Sequence, residues 1–276
     1  MNRISFAASN TMNQLQKQMD VIANNLANSQ TTGYKKQKAS FAELMYQQHN
    51  NQRNQAEETE RLTPNGIRLG TGAGITQVKT VATQGSFANT NRLLDFALTD
   101  PNQYFKVMAP KGNENTVHYT RDGAFYLSPI NGNEVALVTS EGHQVLDEQN
   151  NPIIFNNTLK NVQLGQNGQL IFSNDAGTRA TFNIGIVQMN KVQSMEKVGD
   201  NLLVAPTELN GETALVTNLE GGLRGQIGLK QQALEQSNVD IGEEMTDLIQ
   251  TQRAYQFQAK AITIADQMQG LINGIR

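Results

Sequence analysis

The residues that could support acid–base or metal chemistry are few and scattered in this sequence of 276 residues. The three histidines, His49, His118 and His143, are far apart, and no two of them have the three- or four-residue spacing of a local metal pair. His118 alternates with Val117 and Tyr119, so it is predicted on the solvent face of a strand. Cysteine is absent, which excludes disulfides and thiolate ligands. We therefore expect no metal site and no cofactor.

Adjacent carboxylates and a glycine-rich segment are the remaining candidates for catalysis or phosphate binding. On a helix, the side chains of Glu243 and Glu244 diverge by about 100°, so they are not placed to act as a catalytic acid–base pair. They are better suited to stabilise the positive N-terminal end of the helix dipole. Residues 70–75 (GTGAGI) lack the spacing of a dinucleotide fingerprint, and a strand-like stretch follows them. No serine lies in a nucleophile elbow. The chain is predicted not to be an enzyme, and we expect no small-molecule substrate.

Composition restricts the class of partner. The net charge is −3 and no basic block is present, so nucleic acid is not an expected partner. Charged residues make up only 17% of the chain, and a polar surface of low charge allows copies to pack side by side. No apolar run has the length of a membrane span, and the first residues do not form a secretory signal. If the protein is exported, we expect a route without a cleaved signal peptide.

Helical periodicity marks both ends of the chain. Apolar residues at steps of three and four predict a helix over 3–27 with a narrow seam that requires one partner helix. The seam consists of Ile4, Ala8, Met12, Leu15, Met19, Ile22 and Leu26. A second helix is predicted from about residue 240 onward, and it is apolar on several sides. Its rows are Ile241, Met245, Leu248, Tyr255, Ala259 and Ile262; Ala254, Ala261, Ala265, Met268 and Ile272; and Phe257, Ile264 and Leu271. We expect the first row to pack within the chain and the other two rows to contact other chains, with the last row as the main interface.

The middle of the chain has the period of two that is typical of strands. Short alternating runs separated by turn signals between 67 and 229 predict an all-β domain of sandwich or barrel type. Residues 41–48 are predicted to form a short helical turn with Phe41, Leu44 and Met45 inward. The polar segment His49–Thr63 is predicted to be a mobile or partner-ordered loop.

The predicted fold class is α+β, with the terminal helices paired as a coiled-coil-like stem and an inserted, mainly antiparallel β domain. The predicted domain limits are 1–30 for the first helix of an axial core and 31–75 for an extended linker. Residues 76–232 form the predicted β domain, and 233–276 contain the second core helix.

Motifs near both ends of the chain resemble the paired signatures of flagellar rod and hook proteins. The N-terminal motif consists of Asn24, Asn25, Leu26, Ala27 and Asn28, followed by Gly33, Tyr34 and Lys35. The C-terminal motif consists of Leu234, Glu235, Gln236, Ser237, Asn238, Val239 and Asp240, followed by Gln252, Arg253, Ala254 and Tyr255. Several segments between residues 85 and 147 resemble the β domain of rod proteins. One departure is 100–105 (DPNQYF), where family members commonly have Gly-x-Gly-Phe-Phe.

The resemblance implies a structural subunit of the basal-body rod, most similar to a distal rod protein. Such a subunit is exported unfolded by the flagellar type III apparatus and assembles through its terminal helices with copies of itself and with other rod and hook proteins. Tyr34 and Tyr255 are then candidate anchors in the assembly. The alternatives are a hook-type axial protein and a secreted scaffold or adhesin with a helical stem.

Overall fold

The structure, a computed structural model, describes residues 3–43, 46–49, 67–70, 73–111, 114–159, 161–174, 177–199, 201–206 and 215–274. The chain divides into two compact units. The helical unit contains residues 1–27, 37–79 and 240–276, and the β unit contains residues 28–36 and 80–239. Both ends of the chain therefore belong to one unit, while the domain limits predicted from sequence stay a prediction.

Two helices form the main part of the helical unit. Helix α1 spans Arg3–Ala27 and helix α2 spans Ile241–Gly274, which confirms the two predicted terminal helices. Helix α2 has 34 residues, so it is about 51 Å long at 1.5 Å per residue. Asp240 caps its first turn, because its carboxylate accepts hydrogen bonds from the backbone N–H groups of Gly242 at 2.8 Å and Glu243 at 3.2 Å. No helix in the described part of the chain is long and apolar enough to cross a membrane.

The two helices pack against each other. In α1 the described members of the predicted seam face inward: Ala8 and Ile22 are buried, and Met12, Leu15, Met19 and Leu26 are half-buried. The side chain of Ile4, also predicted in the seam, lies outside the described part of the chain. In α2 the inward face follows steps of four and three through Glu244, Leu248, Thr251, Tyr255, Gln258, Ile262 and Ala265.

The predicted inward row of α2 is wrong at Ile241 and Met245, which are both exposed. The inward face instead includes two polar positions, Glu244 and Thr251, whose polar atoms are hydrogen-bonded. The hydroxyl of Thr251 donates to the carbonyl of Asp247 at 2.7 Å, and the carboxylate of Glu244 accepts from a side chain of α1 that is described below. Polar residues can occupy a buried helix face when their hydrogen bonds are made.

Two short strand pairs complete the described part of the helical unit. Strand β1 pairs with β4, and β2 pairs antiparallel with β3. The strands are β1 Gln37–Glu43, β2 Tyr46–His49, β3 Ile67–Gly70 and β4 Ala73–Thr80. The helical turn predicted for 41–48 is wrong, since Phe41 is exposed on β1 and residues 46–48 pair with β3, while Leu44 and Met45 lie outside the described residues. Pairing of this kind overrides a weak local helical preference. Of the predicted mobile loop, residues 50–63 lie outside the described residues.

The β unit is built from antiparallel strands, which confirms the predicted class of its fold. The main sheet has the order β12-β10-β11-β7-β8-β18-β17, with β9 on β10 and with β16 between β7 and β19. A smaller sheet has the order β13-β14-β15, and β6 and β5 pair with β20 and β21. The strands of this unit are β5 Phe87–Asn89, β6 Phe96–Leu98, β7 Gln103–Lys111, β8 Glu114–Thr120, β9 Tyr126–Asn131, β10 Glu134–Val138, β11 Gln144–Val145, β12 Ile154–Asn156, β13 Asn161–Leu164, β14 Gln169–Ser173, β15 Arg179–Asn183, β16 Ile186–Met189, β17 Glu196–Lys197, β18 Leu202–Val204, β19 Val216–Asn218, β20 Leu229–Gln231 and β21 Ala233–Glu235.

The core of the β unit is aromatic and aliphatic. The rings of Phe105 and Phe125 meet edge to face with their centroids 5.1 Å apart, and those of Phe155 and Phe172 lie 3.9 Å apart. The prediction that His118 faces solvent is wrong, because this residue is buried. Its cross-strand partner on β7 is Val107, which belongs to the buried core, so His118 lies on the covered face of the sheet.

Candidate functional site

Three charged side chains that are buried inside the β unit form a cluster that we call the charge triad: Lys35, Arg121 and Glu235. One carboxylate oxygen of Glu235 accepts a hydrogen bond from the ammonium group of Lys35 at 2.6 Å, and the other accepts one from Nε of Arg121 at 2.5 Å. The side chains of Lys35, Arg121 and Glu235 are only 6%, 1% and 2% exposed. Two cations therefore share one buried carboxylate.

Arg121 follows β8 and uses its remaining N–H groups on the backbone. They donate to the carbonyl oxygens of Asp100 at 2.6 Å and Leu98 at 3.0 Å, and to that of Gln103. The planar guanidinium holds its N–H donors in fixed directions, so it can bind several carbonyl oxygens at once. Arg121 thus joins the loop before β7 to Glu235 at the end of β21.

Electrostatics favour the ionised form of Glu235. Burial alone raises the pKa of this carboxyl, but the charge of Arg121, the hydrogen bonds from Lys35 and from the backbone N–H of Gly85, and the charge of Lys35 outweigh burial and hold the pKa below its ordinary value. Burial lowers the pKa of the Lys35 ammonium, while the hydrogen bond and charge of Glu235 oppose that shift. Because Glu235 is held between two donors of positive charge, the ion-paired form is the one that we assign at neutral pH.

Gly33 brings the N-terminal motif to the charge triad. Its backbone N–H donates to the carbonyl oxygen of Glu235 at 2.8 Å, and its φ angle of +67° lies in the left-handed region that favours glycine. A Cβ atom at this position would lie 2.7 Å from the carbonyl carbon of Arg121 and from the backbone nitrogen of Asp122. The backbones approach too closely for any other residue.

Asn238 of the C-terminal motif makes a second connection to the N-terminal motif. Its carbonyl Oδ1 accepts from the backbone N–H of Lys36 at 2.7 Å, and its Nδ2 donates to the carbonyl oxygens of Val81 at 2.9 Å and Thr83 at 3.0 Å. The backbone N–H of Asn238 also donates to the carbonyl of Tyr34 at 3.4 Å. Segments far apart in sequence are therefore held by one amide side chain.

Asn25 has a comparable role within the helical unit. Its side chain forms two hydrogen bonds with the backbone of Gln37, one accepted at 2.9 Å and one donated at 2.8 Å. Its Nδ2 also donates to the carboxylate of Glu244 in α2 at 3.1 Å. Asn25 is 1% exposed and Glu244 is 6% exposed, so this polar contact between the two helices is shielded from water.

The other residues predicted from the motifs occupy diverse environments. Asn28, Ser237, Val239 and Ala254 are half-buried, whereas Asn24, Asp240, Gln252 and Arg253 are exposed. Tyr34 is buried in the β unit, with the ammonium of Lys197 4.3 Å from its ring centroid, so its ring is used within the chain. Tyr255 is half-buried on the inward face of α2.

Sequence reasoning missed the pairing of Arg121 with Glu235 and the burial of Glu244. For Glu235 the sequence did contain a signal of burial, because Glu235 lies two residues after the apolar Ala233, and alternate residues of a strand share one face. Across the described ranges, no group of three or more His, Asp or Glu residues is arranged to hold a metal ion.

These contacts define a structural module in which motifs from the two ends of one chain are joined by buried polar groups. Three family models match the sequence. They are described as flagella basal body rod protein (residues 7–35), flagellar hook protein FlgE/F/G D1 domain (residues 100–172) and flagellar basal body rod FlgEFG protein C-terminal (residues 230–275).

Relatives over the whole length agree with these matches. The chain is 44% identical over 280 residues to the flagellar hook-basal body complex protein FlhP of Bacillus subtilis, with all of both chains covered. It is 34% identical to the flagellar basal-body rod protein FlgG of Borreliella burgdorferi, covering 100% of this chain and 99% of the relative. It is 35% identical to FlgG of Buchnera aphidicola subsp. Schizaphis graminum, covering 91% and 90%.

The chain belongs to the family of flagellar basal-body rod proteins, as the resemblance of its terminal motifs predicts. Proteins of this family are structural components of the flagellar basal body and are not enzymes.

Proposed function

We propose that this protein is a subunit of the flagellar rod that assembles through its terminal helices into the axial shaft of the basal body. Its partners in this proposal are copies of itself and other rod and hook proteins. The observation that carries the proposal is an exposed apolar row on α2, consisting of Phe257, Ile264 and Leu271.

The members of this row are seven residues apart, so they lie on one side of α2. They are 68%, 55% and 69% exposed, and Met268 and Ile272 nearby are exposed as well. Complete burial of one such side chain contributes about 1.5–3 kcal/mol. A row of this size on a helix that already packs against α1 supports docking of another chain.

The inward faces of α1 and α2 have a different role in the proposal. Leu15, Met19, Ile22 and Leu26 pack within the chain against the face of α2 that contains Leu248, Tyr255 and Ile262, and together they form a coiled-coil-like stem. The Asn25–Glu244 hydrogen bond fixes the axial register of the stem, as single buried polar contacts do in coiled coils.

In the proposal, residues 1–30 and 233–276 belong to the axial core, 31–75 form an extension, and 76–232 form the β domain. Stem helices with exposed apolar rows are marginally stable in a free subunit and gain stability when neighbours cover them. Such a chain is suited to passage in an unfolded state through the flagellar type III apparatus, followed by folding upon assembly. Repeated contacts that do not close on themselves produce a helical shaft.

The test replaces the apolar row by Phe257→Ser, Ile264→Ser and Leu271→Ser in one variant, expressed in a strain that lacks the gene. The matched control carries Gln256→Ser and Gln267→Ser, which change two exposed polar residues of the same helix that do not belong to the row. Purified basal bodies are assayed by quantitative mass spectrometry, and swimming is measured in soft agar.

We expect the apolar variant to be produced and exported at normal levels but to be reduced at least tenfold in basal bodies, with loss of swimming. The control should be incorporated as the wild type is. Normal incorporation of the apolar variant would show that this row is not an assembly surface.

A further inference from the structure

A small cavity lies beside the charge triad within the β unit. Its lining includes Lys35, Arg121, Tyr104, Lys197 and Asn201. Its volume is about 20 Å³, which is room for a single small species.

Tyr104 contributes an unused hydrogen-bond donor to this lining. The residue is 2% exposed, and no protein group in the described part of the chain forms a hydrogen bond with its buried hydroxyl. Burial raises the pKa of Tyr104 to about 12, so the hydroxyl keeps its proton at neutral pH. Buried polar groups normally have a hydrogen-bond partner, and a protonated phenol can donate its hydrogen bond to an acceptor.

The charges around the cavity are mainly positive. Lys35 and Arg121 share the carboxylate of Glu235, whereas Lys197 has no carboxylate within 4.0 Å among the described residues. The ammonium of Lys197 lies over the ring of Tyr34, and burial lowers its pKa. Three cationic side chains therefore line the space, and two of them are paired with Glu235, which does not line it. An anion there would lower the electrostatic cost of the cations.

We propose that this cavity binds a small monovalent anion of the chloride class. The hydroxyl of Tyr104 and the ammonium group of Lys197 are its principal donors, and Lys35 and Arg121 add positive potential. A cation would meet like charges here. Chloride bound at this position would strengthen the joint between the N- and C-terminal motifs.

The test measures thermal unfolding of the full chain, at a concentration where it is monomeric, in sodium chloride and in sodium gluconate of equal ionic strength. Gluconate is much larger than chloride, so it serves as the reference anion. The variant is Tyr104→Phe, which removes only the hydroxyl. The matched control is Tyr126→Phe, since Tyr126 is exposed and does not line the cavity.

In gluconate we expect Tyr104→Phe to unfold at the same temperature as the wild type or slightly higher, because its buried donor is gone. In chloride, we expect the wild type to gain about 3 °C relative to Tyr104→Phe, as expected for a ligand of the folded state at about ten times its Kd. Tyr126→Phe should follow the wild type in both salts. Comparing variants within each salt removes the general effects of the two anions on stability.

Lys197→Met provides a second measurement, because it removes the cation and keeps most of the side-chain stem. We expect it to lose most of the chloride-specific gain, and we expect chloride-35 line broadening in nuclear magnetic resonance to fall in parallel. If the difference between wild type and Tyr104→Phe is the same in both salts, the anion proposal is wrong and water fills the space. A full chloride response in Lys197→Met would likewise overturn it. None of these measurements depends on assembly, so they are independent of the proposed rod function.

Discussion

Glu235→Gln is the most direct perturbation of the joint between the two terminal motifs. The substitution keeps the shape of the side chain and removes its negative charge. Lys35 and Arg121 then remain as cations whose side chains are 6% and 1% exposed, with no carboxylate between them. Leaving a buried charge without its partner costs about 3–5 kcal/mol, which is several times the value of a surface ion pair.

Such a loss corresponds to an unfolding temperature lower by about 10 °C in a protein of this size. The assay is thermal and urea unfolding followed by circular dichroism. Hydrogen exchange should locate the loss in β21 and in its partner β5, where Glu235 pairs with Phe87. The control is Glu196→Gln on β17, because this carboxylate is exposed, and its replacement should change stability by less than about 0.5 kcal/mol.

A double-mutant cycle with Lys35→Met separates charge from packing. Lys35→Met removes one of the two cations, so adding it to Glu235→Gln should recover part of the lost stability rather than add a second loss. If Glu235→Gln costs less than about 1 kcal/mol, or if the two substitutions are additive, the charge triad does not stabilise the joint as argued.

The pH dependence gives an independent check of the same interaction. The folded-state pKa of Glu235 lies below its ordinary value of 4.5, so the folded state binds fewer protons than the unfolded state in that window. The stabilisation is complete above pH 4.5 and is lost as the pH falls through the folded-state pKa. The stability difference between wild type and Glu235→Gln should therefore shrink below pH 4.5, and a constant difference down to strongly acidic pH would contradict the assignment.

Two further substitutions test the other close contacts. Gly33→Ala should destabilise the fold by about 3 kcal/mol or more in urea unfolding, because it adds a backbone clash to the strain of a positive φ. The control is Gly142→Ala, at φ +88° in open space, which should show only the strain of about 1–2 kcal/mol. Equal losses in the two variants would contradict the clash. Asn25→Asp should destabilise the helix pair by about 2–4 kcal/mol, since it loses its donors and places a second carboxylate against Glu244. Hydrogen exchange in α1 and α2 measures this loss, the exposed Asn13→Asp is the control, and unchanged exchange would show that the contact does not hold the helices together.

The elements that sequence predicts well are those set by local periodicity. Helix α1 begins and ends at the predicted residues, Arg3 and Ala27, because a regular apolar seam on a polar helix leaves little choice of structure. Helix α2 begins after Asp240, a side chain with a strong preference for the N-cap. The antiparallel strands follow from the period of two and the turn residues between them.

The elements that sequence predicts poorly depend on partners far away in the chain. Phe41 lies in a strand because β1 pairs with β4, and nothing within residues 41–48 specifies that partner. His118 is buried because it lies opposite Val107 of the core on the covered face of the sheet. Glu244 turns inward because Asn25 offers it a hydrogen bond across 219 residues of sequence.

The buried polar contacts give a physical meaning to the pairing of the two terminal motifs. Lys35 and Glu235 are 200 residues apart, and the buried Lys35 ammonium needs the Glu235 carboxylate as its counter-charge. Closing so long a loop has a large entropic cost that must be met before the contact forms. The triad is therefore expected to form late in folding, once the strands that carry Arg121 and Glu235 are in place. Because the C-terminal motif is needed to bury Lys35, a chain that is still incomplete cannot close the joint. A protein that must remain unfolded until all of it has been delivered would benefit from this order of events.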